Sequence, residues 1–213
     1  MSENLVIFAQ IWVTMKRLIP VLVIFICSAT IVSAQEFSGG FYGGLVATQV
    51  DGDSYGGYNK LGLTFGVFAS NKFSDEWGFQ AEIKYTEKGS HKGTSPNNPV
   101  FYSLKLSYME VPFRFNYFLN EKVTFGIGSA FGYLTSSKED ADGQGYTYPD
   151  PAVRTMEFSA FGTVSYALTD HISAEFRAQY SMVSVQKHDI VTFFFSRHGM
   201  FNNVLGLNLV YGF

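Results

Sequence analysis

Beyond residue 35 the chain alternates large apolar residues with small or polar ones over most of its length. In the run WGFQAEIKY, Trp77, Phe79, Ala81, Ile83 and Tyr85 take the odd positions, and Gly78, Gln80, Glu82 and Lys84 the even ones. Leu61–Val67, Val123–Ile127, Ile172–Met182 and Leu205–Phe213 repeat the pattern. A period of two means an extended strand whose two faces meet different surroundings. With GGFYGGLVATQ and the segments 102–118 and 154–168, the pattern predicts about eight strands.

The connections fall into two classes. NKFSDE, LNEK and LTDH are short, whereas DGDSYGGYN, GSHKGTSPNNP, SKEDADGQGYTYPDP and QKHDIVTFFFSRHG are long and rich in Gly, Asp, Ser and Pro. The two classes alternate, so short turns gather at one end of the sheet and long loops at the other. Outer-membrane barrels are organised in this way, with the short turns periplasmic.

One strand breaks the pattern. Leu104, Leu106 and Tyr108 are apolar at even positions, while Val111, Phe113, Phe115 and Tyr117 are apolar at odd ones. A slip of one residue predicts a bulge at Tyr108, Glu110 and Pro112, where a proline that cannot donate to the ladder is tolerated.

Composition decides which face meets what. Charged residues are 15% against a usual figure of roughly 25%. The polar faces are mostly Gly, Ser, Thr and Ala with single charges, which suits a narrow barrel lumen better than a surface facing water. The apolar faces carry large side chains, with Trp77, Tyr85, Tyr108, Tyr117, Tyr133, Tyr166 and Tyr211 near their ends. Aromatic rims around an apolar band suit the two interfaces of a bilayer, and backbone groups in hydrocarbon require the sheet to close. The expected fold is all-β: a closed antiparallel up-and-down transmembrane β-barrel of about eight strands in the outer membrane of a Gram-negative bacterium. The alternative is a soluble lipocalin-like barrel or sandwich holding a ligand.

The first residues add an export signal. From Met15, Lys16 and Arg17 precede an apolar run that ends at Ser33 and Ala34, the layout of a signal peptide over residues 1–34 with the barrel domain at 35–213. Met15 is a second candidate start, and an uncleaved anchor helix is the alternative to cleavage. The only cysteine, Cys27, lies within the leader, so the mature chain has no disulfide or thiolate metal site. Removing Lys16, Arg17 and Glu3 takes the formal charge from −3 to about −4, with no basic run to suit nucleic acid.

The segment YMEVPFRFNYF resembles the Tyr-x-Glu-hydrophobic-Pro pattern of the PorT-like family of small outer-membrane barrels of Bacteroidota. YNKLGLTFGVF, IKYTEKG and FGIGSAFGYL resemble its second, third and fifth strands in the same order. Where members often carry a basic residue, this chain has Asn116. The resemblance implies an outer-membrane location and a structural or interaction role, with a secretion-associated component as one form of it. Gly206, Leu209, Tyr211 and Phe213 resemble the terminal signal read by the barrel-assembly machinery.

The charges expected to point inward are Glu82, Lys84, Lys105, Glu110, Arg114, Glu157, Glu175 and Arg177, four acids and four bases. Their balance predicts a paired network that plugs the lumen rather than an open pore. A gated path is the alternative. No cofactor is implied, and EDADGQG lacks the ligand spacing of a calcium hand. His188, Asp189, Ser196 and His198 are the only residues to suggest a barrel enzyme acting on lipid A or peptides, and a non-enzymatic protein is expected. Tyr146, Tyr148, Phe193, Phe194 and Phe195 form a candidate docking surface for an envelope partner, beside the outer-membrane lipid and lipopolysaccharide that any such barrel contacts.

Overall fold

The computed structural model describes residues 37–53, 55–94, 100–186 and 199–213; the leader, Phe193, Phe194, Phe195 and the His188–His198 group lie outside the described residues. Eight strands run β1 (Phe37–Asp51), β2 (Lys60–Lys72), β3 (Trp77–Lys92), β4 (Tyr102–Phe118), β5 (Val123–Asp140), β6 (Met156–Ala167), β7 (Ile172–Ser181) and β8 (Phe201–Gly212). Each pairs antiparallel with the next, and β8 pairs back onto β1, closing the barrel in sequence order.

The three short turns share one local device. Ser74, Asn120 and Thr169 each stand second in their turn, and their side-chain oxygens accept the N–H of Trp77 (3.0 Å), Val123 (2.9 Å) and Ile172 (3.0 Å). Short polar side chains that bond the backbone a few residues on reverse the chain without tertiary help.

The outer wall is apolar. Leu63, Phe65, Val67, Ile83, Phe113, Phe115, Ile127, Leu207 and Leu209 are all exposed, a belt far larger than the isolated patches of a water-soluble monomer. At the short-turn rim Trp77 meets Tyr117 with ring centroids 4.9 Å apart, and Tyr166 and Tyr211 lie at the same level. Tyr85 and Tyr133 mark the other rim.

The anomaly in β4 has a different cause from the one expected. Burial alternates without a slip from Leu104 to Asn116, so Leu104, Leu106, Tyr108, Glu110, Pro112 and Arg114 all point inward. The bulge lies on the neighbouring strand. Ser107 pairs with Ser136 and Tyr108 with Leu134, which leaves Thr135 of β5 as the extra residue, and its hydroxyl donates to the Ser107 carbonyl (3.0 Å). Pro112 instead interrupts the ladder to β3, where no pair lies between Ala81–Phe113 and Lys84–Glu110. Tyr108 is therefore fully buried inside the barrel and does not belong to the outer aromatic rim.

Candidate functional site

The alternation of β3 places Gln80, Glu82, Lys84, Thr86 and Lys88 in one inward column, beside the column of β4 and facing those of β6 and β7 across the lumen. Two clusters of charge result. In the half nearer the short turns, Arg177 grips Glu82 with both terminal nitrogens (2.9 and 2.8 Å) and donates through Nε to Glu175 (3.2 Å). Arg114 donates to Glu175, to Thr163 (3.2 Å) and to Gln80 (2.7 Å). Tyr42 donates to Glu82 (2.7 Å), and the Arg177 guanidinium lies 4.7 Å from the Phe161 ring centre. Planar forks hold carboxylates in fixed orientation, which suits the crowded side of the lumen.

Nearer the long loops the cations are lysines. Glu110 sits between Lys84 (2.8 Å) and Lys88 (2.6 Å), and Lys88 also reaches Glu157 (2.9 Å). Ser181 (2.7 Å) and Asn202 (3.1 Å) donate to Glu157. Gln179 extends the lysine cluster, accepting from Lys84 (2.8 Å) and donating to Glu110 (3.0 Å) and Ser159 (2.7 Å).

Glycine makes room for these long side chains. A Cβ on Gly126 would lie 2.6 Å from Arg114 Cδ, and one on Gly66 would lie 2.8 Å from Lys84 Cβ. The small residues of the polar faces are thus a packing requirement of the charges they oppose.

Above Lys88 the lumen turns apolar. Val50, Tyr102, Leu104, Leu106 and Tyr108 form a buried cluster against which Tyr55, Leu134, Val153 and Met200 pack. The Lys88 ammonium lies 4.9 Å from the centre of the Tyr108 ring, where the two layers meet. The void beside Tyr42, Lys84, Arg177 and Gln179 measures about 10 Å³, room for about one water. Among the described residues, ion pairs occupy the lower lumen and a largely apolar layer the upper.

Seven of the eight expected inward charges, Glu82, Lys84, Glu110, Arg114, Glu157, Glu175 and Arg177, lie in this network, each 5% exposed or less. Lys105 does not: it projects from the outer wall, where its ammonium lies 4.2 Å from the Tyr146 ring centre. Lys88 takes its place and keeps the balance at four acids and four bases. The signal for Lys88 was present in the sequence, since β3 carries its alternation past Tyr85 to Thr86 and Lys88. The apparent slip in β4 hid the outward position of Lys105.

The remaining candidates separate. Tyr148 is 89% exposed, whereas Tyr146 is tied down by Lys105 and by Ser103 (3.2 Å), and the Lys105 contact lowers the Tyr146 phenol pKa below its ordinary value. The Asp140 carboxylate accepts from the N–H groups of Gly143 (2.6 Å) and Gly145 (3.3 Å). Of the terminal residues, Gly206 points inward, Leu209 and Tyr211 point outward, and Phe213 stands exposed at the short-turn rim. Among the described residues no group of three or more His, Cys, Asp or Glu could hold a metal ion.

The family described as outer membrane protein beta-barrel domain matches residues 33–186. The chain belongs to that family. Similar solved structures include Neisserial surface protein A (13% identity, TM-score 0.51), with 85% of this chain and 100% of that one covered. Ail of Yersinia pestis, solved with the heparin analogue sucrose octasulfate, has 14% identity and a TM-score of 0.49 over 84% and 99% of the chains. OprG of Pseudomonas aeruginosa has 12% identity and a TM-score of 0.40 over 84% and 96%. Likeness at these identities concerns the fold alone. No curated protein matches the chain. The family and its wall of exposed apolar side chains make this a barrel of the Gram-negative outer membrane, with its short turns on the periplasmic side.

Proposed function

We propose that the protein is a sealed, non-catalytic barrel that serves as a membrane-embedded scaffold, with its outer loops or periplasmic turns contacting another envelope component. The observation that carries this reading is the filled lumen: a charge-balanced network below and the Leu104–Leu106–Tyr108 layer above. Solute would have to break buried ion pairs to pass, at a cost of about 3–5 kcal/mol for each ion left buried without its partner. The lumen carboxylates are already engaged by cations and hydrogen-bond donors, so none is poised as a base.

The Tyr108-x-Glu110-x-Pro112 pattern, by its resemblance to the PorT-like family, supports a secretion-associated form of this role. Phe213, exposed at the periplasmic rim below the outward column Leu207, Leu209 and Tyr211, supports recognition by the barrel-assembly machinery during biogenesis.

Planar-bilayer recording of the wild type and of a Glu110→Gln/Arg114→Met variant tests the sealed lumen. Neither should conduct, although the variant should be less stable. Current through the variant alone would favour a gated path. Purification from the native outer membrane in mild detergent, with mass spectrometry of stoichiometric companions, tests the scaffold; a clean monomer would count against it. Altered lipid A or cleaved peptide substrates in overproducing cells would overturn the non-catalytic assignment.

A further inference from the structure

The barrel wall is not uniformly paired. Pairing of β2 with β3 ends at Thr64–Thr86, although β2 begins at Lys60 and β3 continues to Lys92. In that seam the Glu87 carboxylate replaces the ladder, accepting the Leu63 N–H (3.0 Å). Gly89 has φ +128, a left-handed conformation suited to glycine, and a Cβ there would lie 2.0 Å from the Leu104 carbonyl and 3.2 Å from Lys60 Cδ. The bare backbone at Gly89 lets the Lys60 stem cross toward the outside. The result is an open cleft of about 370 Å³, lined among others by Lys60, Leu61, Glu87, Lys105, Ser107 and Lys138.

The charge in this cleft is unbalanced. Lys105 and Lys138 are direct cross-strand partners on β4 and β5, an arrangement of like charges that opposes pairing unless something neutralises it. Among the described residues no carboxylate lies within 4.0 Å of Lys60, Lys105 or Lys138. The one acid lining the cleft, Glu87, accepts the Leu63 N–H and offsets one of the three ammonium charges, which leaves the cleft net positive.

The height of the cleft identifies its ligand. On β3 and β5 the lipid-facing columns end at Tyr85 and Tyr133, and Glu87, Ser107 and Lys138 stand just beyond that rim. The Tyr85 hydroxyl donates to Ser107 at the boundary (3.0 Å). Beside the cleft, Leu61 and Leu63 remain exposed and lead down to Phe65 and Val67. Cations at headgroup level above an exposed apolar column fit an anion that carries acyl chains. We propose that Lys60, Lys105 and Lys138 form a binding site for the phosphorylated headgroup of an outer-leaflet lipid, with its chains lying along β2. The site is independent of the sealed-lumen reading.

The test uses the full-length protein purified from the outer membrane in non-ionic detergent and titrated by native mass spectrometry. The probes are diphosphorylated lipid A, its dephosphorylated form and inorganic phosphate. Each lysine near a membrane surface contributes about a fivefold gain in affinity for anionic lipid, so Lys105→Gln/Lys138→Gln should weaken the phosphorylated lipid roughly thirtyfold. The dephosphorylated lipid should bind weakly to wild type and variant alike, and Lys122→Gln, in a periplasmic turn, should bind as wild type does. Should the double variant fail to show the heat-dependent gel shift of a folded barrel, Lys138→Gln alone should still give about a fivefold loss. Equal binding of the phosphorylated lipid by wild type and lysine variants would overturn the site. Inorganic phosphate binding as tightly as the lipid would overturn the lipid assignment.

Discussion

The two halves of β4 have opposite polarity on the same backbone. From Met109 to Tyr117 the strand puts Glu110, Arg114 and Asn116 inside and Val111, Phe113 and Phe115 outside. From Tyr102 to Tyr108 it puts Leu104, Leu106 and Tyr108 inside and Lys105 and Ser107 outside. The direction of each side chain never changes parity; the surroundings do. The lower half stands in lipid, where the exterior must be apolar and the polar residues retreat to the lumen. The upper half stands in headgroups and water, where an ordinary apolar core is again the stable arrangement.

The sharpest way to break this contrast is to give the lower lumen the chemistry of the upper one at a single position. Glu110→Leu would leave Lys84 and Lys88 buried without their shared carboxylate, and should destabilise the barrel by about 3–5 kcal/mol. Urea unfolding from lipid vesicles, read by the Trp77 fluorescence, measures the loss. Leu106→Ala tests the upper half from the inside. A cavity in a packed apolar layer should cost about 2–5 kcal/mol, and a polar lumen at that level would show almost none of it.

The outer wall gives a paired comparison. Phe113→Arg, near the middle of the apolar band, should cost about 2–4 kcal/mol, whereas Ser107→Arg, on the same face beyond the rim, should cost about 0–1 kcal/mol. Equal costs would mean that both positions lie in one environment. The smallest effect belongs to Tyr148→Ala on the outer loop, which should leave stability within about 0.5 kcal/mol of wild type while removing any partner that docks there.

The strand count, the strand order and most of the lumen charges were legible because they depend on a local periodicity. The turns were legible for the same reason, since Ser74, Asn120 and Thr169 act on backbone a few residues away. Lys105 reads as inward only if the hydrophobic side of β4 is the outer side throughout, whereas the inward position of Lys88 follows from the unbroken alternation of β3. Along a strand that leaves the membrane, apolar character marks burial in one half and exposure in the other. The extra residue at Thr135 gave no such signal, because a bulge shows only against the partner strand.

By itself, then, the sequence determined a sheet of alternating strands, its short and long ends, and an interior with balanced charge. The tertiary structure decided who meets whom. Arg177 and Glu82 lie 95 residues apart and touch because closure and stagger of the barrel bring β7 and β3 to the same level across the lumen. Closure also set where the lumen changes from ions to hydrocarbon, and left the seam at Gly89 through which Lys60 joins Lys105 and Lys138. Alternation is a property of each backbone segment, whereas pairing across a lumen and height in a bilayer are properties of the closed sheet.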